Sequence, residues 1–174
     1  MGAPVSNNFP RSGATSADYQ VVVDASEAVL DDARGLVSAE SIVKDEKTVN
    51  DLETDRHRMR CSDDTSQYTN VENLYLAPGT DEIALIDAMR ESYLAAGWTR
   101  TPSVAEQAGT EQDPTGAYVQ TLRNRDGYGL SLSRGEDRGE DRGDDVDGTH
   151  ILQFTVYSPC IGNPTDKSDT WGLS

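Results

Sequence analysis

The sequence predicts an α+β domain, with a mainly antiparallel sheet and two helices packed on one of its faces. Three observations lead there. Residues 74–98 read as strand, amphipathic helix and strand in succession, a core-building unit. A second helical pattern begins near the N-terminus at Ser16. The C-terminal half holds three runs that alternate at strand period, two of them joined by Asn124-Arg125-Asp126-Gly127, a hairpin signal.

In the central unit, Leu74-Tyr75-Leu76-Ala77 suits a strand and Pro78-Gly79 a turn. Thr80 stands where an N-cap is needed, and Asp81 and Glu82 place negative charge against the positive end of the helix dipole. Ile86, Met89, Tyr93 and Ala96 recur at helical spacing, with Ile83, Leu85 and Leu94 widening the stripe. Gly97 supplies a left-handed C-cap, and the chain leaves through Trp98 as a strand.

Toward the N-terminus, residues 1–15 mix Pro, Asn, Ser, Gly and Thr without a period and read as a flexible tether. From Ser16, one helix face carries Tyr19, Val22, Val23, Val29, Leu30, Ala33, Leu36 and Val37, and the other carries Asp24, Glu27, Asp31 and Asp32. The Val21-Val22-Val23 triplet would also suit a strand, and Gly35 is a stop. Residues 40–49 and 54–61 are strand candidates, 62–70 is polar and turn-like, and 102–116 is a loop.

On the C-terminal side, Tyr118, Gln120 and Leu122 share one strand face, as do Tyr128, Leu130 and Leu132. In the last strand, residues 149–157, Leu152, Phe154 and Val156 face the core, and Ser158-Pro159 ends it. The domain therefore spans 16–164, with a polar tail over 165–174.

A formal charge of −16 excludes direct nucleic-acid binding, which needs cations against the phosphates, and excludes docking on anionic lipid through a basic patch. It serves solubility in the plain reading, or caps a basic partner in the sharper one. Leu, Ile, Val and Phe make up about 18% of the chain, near the level at which charged chains fail to fold. They cluster away from the ends and the 134–148 run, which argues for a compact domain with polar appendages.

Residues 134–145 repeat Arg-Gly-acidic-Asp three times, at a four-residue period that fits neither helix nor strand, and 134–148 reads as a mobile acidic hairpin loop. Asp145 and Asp147 do not make a calcium loop. Gly143 occupies the first ligand position and Phe154 the closing one. His57 with Cys61 and His150 with Cys160 lack zinc-finger spacing, so no metal or cofactor is expected. No nucleophile elbow, phosphate loop or zinc-protease motif occurs, and no catalytic residue is expected.

Cys61 and Cys160 are the only cysteines. They read either as one disulfide in an oxidising compartment or as two unrelated buried thiols. No apolar run spans a bilayer, and Met1-Gly2-Ala3-Pro4 has neither the basic nor the apolar part of a leader.

With Cys61, Gly97-Trp98, Asp126-Gly127 and the closing Leu152-Gln-Phe-Thr-Val-Tyr-Ser-Pro-Cys160, the chain resembles small secreted proteins and lipoproteins of actinobacterial cell envelopes over residues 18–164. The resemblance implies a Cys61–Cys160 bridge, an extracytoplasmic location, no catalytic residues and another envelope protein as partner. It lacks that family's lipobox cysteine. The expectation is a non-catalytic, extracytoplasmic envelope protein; the alternative is a cytosolic acidic inhibitor of immunity type that blocks a basic surface.

Overall fold

The computed structural model describes residues 14–47, 58–102, 109, 118–134 and 150–165. Helix α1 (Ser16–Gly35) opens on a capping box: Thr15 Oγ1 accepts from the Asp18 N–H, and the Asp18 carboxylate accepts from the Thr15 N–H at 2.7 Å. A 3-10 turn (Ala39–Ser41) leads into β1 (Ile42–Lys47), followed by β2 (Arg58–Arg60) and β3 (Thr65–Leu76). Helix α2 (Glu82–Ala95) and β4 (Thr99–Thr101) come next, then β5 (Val119–Arg123), β6 (Gly129–Arg134), β7 (His150–Tyr157) and β8 (Ile161–Gly162).

The α+β architecture is as the sequence predicts. The strands form one sheet in the order β1-β3-β7-β6-β5-β4, with β2 and β8 also paired to β3, and every pairing is antiparallel. Leu152, Phe154 and Val156 of β7 are fully buried, in the predicted register. They pack with Leu74, Leu76, Leu122, Leu130 and Leu132 of the sheet against Leu30 and Ala33 of α1 and Ile86, Met89 and Tyr93 of α2. Tyr19, Val22 and Val23 of α1 close a smaller cluster with Tyr68, Tyr128 and Ile161.

Several expectations need correction. Residues 65–70 extend β3 to twelve residues, although their Thr, Ser, Gln and Asn content reads as a turn. Their buried polar groups are met from far along the chain: Tyr68 N–H donates to Ser158 Oγ at 2.8 Å, and Asn70 Nδ2 to Glu27 at 2.9 Å. Glu27, placed on the solvent face of α1 by its charge, turns toward the sheet for the same reason. Ser26 is buried too, donating to Val22 O at 2.6 Å. Leu36 is 45% exposed, because it is the C-cap residue and the helical stripe ends before it.

Asp81, not Thr80, caps α2. Its Oδ1 accepts from Ala84 N–H at 3.0 Å, while Thr80 Oγ1 is engaged with Ala77 O at 2.7 Å. Leu94 and Ala96 are exposed at the end of that helix. Gly97 has φ +97° and closes α2, with Trp98 N–H reaching Tyr93 O and Gly97 N–H reaching Leu94 O, the paired bonds of a Schellman motif. β8 follows the Ser158-Pro159 break, after which no further strand is expected. Ala14 is fully buried and accepts from Thr165 N–H at 3.0 Å, so the domain takes in Ala14, Thr15 and Thr165. Residues 1–13, the 135–148 part of the acidic repeat, the loop at 103–108, His57 and residues 166–174 lie outside the described residues.

Candidate functional site

The two sequence-predicted site residues are brought together. Cys61, in the turn between β2 and β3, is bonded to Cys160, between β7 and β8, with Cα atoms 6.3 Å apart. Both are exposed. The local chain positions them through β3: Cys61 N–H donates to Thr65 O at 3.0 Å, Ile161 pairs with Ser66, and Asn163 N–H donates to Asp64 O at 2.9 Å. Gln67 lies against the bridge, its Oε1 3.8 Å from Cys160 Sγ and its Nε2 3.3 Å from Met59 Sδ. Bridged sulfurs carry no thiolate, so this pair cannot ligate zinc. Among the described residues, no group of three or more His, Cys, Asp or Glu is placed to hold a metal ion.

Four carboxylates, Glu27, Asp87, Glu82 and Asp45, are engaged by donors from neighbouring elements. Glu27 of α1 accepts from the Tyr68 hydroxyl and from Asn70 of β3. Burial and then the bond to Glu27 push the Tyr68 hydroxyl well above the usual tyrosine range. Asp87 of α2 accepts from the Tyr118 hydroxyl at 2.6 Å and from Arg90 at 3.1 Å. Glu82, 6% exposed, pairs with Arg134 Nε at 3.6 Å. Arg34 in the last turn of α1 meets Asp45 of β1 at 2.7 Å. Each links a helix to the sheet or to the segment entering it.

The sheet face away from the helices has a different character. β3, whose one charged residue, Glu72, points inward and is 2% exposed, presents Thr69, Val71, Asn73 and Tyr75 outward. β7 adds Ile151, Gln153, Thr155 and Tyr157, and the β5–β6 hairpin adds Val119, Thr121, Ser131 and Ser133. All twelve are half-buried and none is charged. Charged residues make up 26% of the chain, so about three would be expected among twelve outward positions. Among the described residues, charge returns at the margins, with Lys44 and Glu46 beside Tyr75 and with Arg123 at the end of β5.

Cross-strand bonds organise the patch. Gln153 Nε2 donates to Asn73 Oδ1 at 3.0 Å, and Thr121 and Ser131 share a hydroxyl bond of 3.1 Å. Sequence reading missed this surface because each strand was scanned for its apolar side. The signal available was the run of uncharged residues at alternate positions from Thr65 to Tyr75 in a chain this acidic. Comparison with protein families, with curated proteins and with solved structures finds no match for this chain.

Proposed function

We propose that this chain is a non-catalytic, extracytoplasmic protein of the cell envelope. The observation that carries the reading is the Cys61–Cys160 bridge, exposed at both cysteines. Glutathione and thioredoxin keep such accessible pairs reduced in a typical cytosol, whereas they persist outside it. The bridge closes a span of 99 residues and fastens the β2–β3 turn to the β7–β8 corner, so a domain with a lean core gains from it. Among the described residues, no helix is long and apolar enough to cross a membrane.

A non-catalytic role belongs to the proposal because Glu27, Asp87 and Glu82 each tie a helix to the sheet or to the segment entering it. The bridge weighs against the cytosolic acidic inhibitor, which needs no oxidising compartment. Fractionation of the native host, followed by detection with an antibody, tests the reading. Recovery in the extracytoplasmic fraction is expected; recovery with the cytosolic markers would overturn it in favour of the inhibitor.

A further inference from the structure

We infer that the outward face of the sheet binds a neutral oligosaccharide, over a patch centred on Gln153 and Thr155 of β7 and flanked by Tyr75 and Tyr157. The proposal names a ligand class for the extracytoplasmic reading and rests on it only for where such a ligand would be met.

The chemistry comes from what the face offers. Saccharides present hydroxyl groups around the ring edge and apolar C–H groups on its faces. The patch answers the hydroxyls with a cross-strand row formed by Thr155, Ser131 and Thr121, at the roughly 4.8 Å spacing of paired strands. Hydroxyls both donate and accept, so such a row meets either half of a sugar hydroxyl. The Asn73–Gln153 pair spends one amide donor and one acceptor on its own bond, leaving an amide nitrogen on Asn73 and an amide oxygen on Gln153 outside it. Tyr157, paired with Thr69, places an aromatic ring at the C-terminal end of β7, where a C–H face can stack, while Tyr75, paired with Ile151, bounds the other end with Lys44 Nζ 5.3 Å from its ring centroid.

Charge and area select among occupants. A second copy brings a further −16, and an acidic ligand would meet the same field. A basic partner would be drawn to the acidic surfaces of the chain and not to its uncharged face. Four strands about 4.8 Å apart, with side chains repeating about every 6.7 Å along them, give a patch of roughly 300–400 Å². That is half or less of the ~800 Å² per partner that a stable protein–protein interface buries. It suits a linear ligand of a few sugar units and is too small for the globular envelope partner expected from the sequence.

The test is titration of the isotope-labelled, oxidised full chain with neutral hexasaccharides, followed by NMR. The probes are β-1,4-linked glucose, β-1,4-linked N-acetylglucosamine and α-1,4-linked glucose, with a galacturonate hexamer as the anionic control. At least one neutral hexamer should give saturable shifts at the side-chain amides of Asn73 and Gln153, with a Kd of about 1 mM or tighter that added salt leaves unchanged. Thr155→Glu, Ser131→Glu and Tyr157→Ala should each weaken it about tenfold or more, in variants whose amide spectra show the fold retained. The proposal is overturned by an absence of shifts with every neutral hexamer, by shifts that map elsewhere, or by equal binding of the galacturonate hexamer. Sedimentation showing a dimer that buries this face would overturn it as well. None of these results changes the thiol state or the location, which test the extracytoplasmic reading separately.

Discussion

The hydroxyl of Tyr68, fully buried on β3, donates to the carboxylate of Glu27 on α1, so a charge-assisted bond joins the N-terminal helix to the longest strand. Tyr93 on α2 is the contrasting case, with a buried hydroxyl that has no partner among the described residues. Tyr68→Phe should therefore cost about 1.5–3 kcal/mol, since it removes a bond to a charged group. Tyr93→Phe should be neutral or stabilising, because the proton it removes meets no acceptor. Denaturant melts of the two variants check the pair, and equal losses would contradict the assignment of both hydroxyls.

Phe154 is fully buried at the centre of the sheet between Leu132 of β6 and Glu72 of β3. Phe154→Ala should destabilise by about 3–5 kcal/mol, as core aromatic truncations do. A loss below about 1 kcal/mol in a urea melt would place this side chain outside the core.

Alkaline pH should unfold the domain earlier than its acidity suggests. Burial holds the Tyr128 hydroxyl up at about 12, with Asp126 adding to it, and raises Tyr68 and Tyr93 further. Each of these tyrosines titrates at a higher pH folded than unfolded. Their contribution is complete below about pH 10 and is lost as the pH rises from there toward the folded values. With three such groups, stability should fall by up to about 4 kcal/mol per pH unit above pH 10. Denaturation midpoints between pH 9 and pH 11 measure the slope, and Tyr128→Phe should make it shallower. A flat profile across that range would show that the three phenols ionise freely in the folded protein.

How much of this was legible in the sequence follows from where each signal lay. Leu152, Phe154 and Val156 alternate against polar neighbours, so their register could be read locally, as could Gly97-Trp98 at the end of α2. The first half of β3 could not. Ser66, Asn70 and Glu72 are buried polar residues, and two of them are met by side chains 97 and 43 positions away, Asn163 and Glu27. Nothing local marks such residues as strand. β8 is two residues long and exists only as a partner of β3, so no period could reveal it. The Cys61–Cys160 pairing was open to inference because only two cysteines exist. The uncharged outer face became visible only once the sheet order had set its rows side by side.

Removing the bridge should weaken the domain without abolishing its fold. Closing a span of about 100 residues is worth up to ~4.7 kcal/mol in the chain-entropy model, and measured values are often lower. Cys61→Ser/Cys160→Ser should lower the urea midpoint while amide shifts in the β5–β6 hairpin stay close to those of the parent. A midpoint that does not move would show that the bridge constrains nothing the rest of the fold does not already fix.

An extracytoplasmic protein should carry the bridge in the form its host makes. Thiol titration of that protein, denatured without reductant and alkylated at lysis to prevent later oxidation, tests this directly. The prediction is no reactive thiol before reduction and two after it, with a single peptide pair linking Cys61 to Cys160. Two free thiols before reduction would contradict it, removing the main support for an extracytoplasmic protein and leaving the cytosolic inhibitor as the better reading.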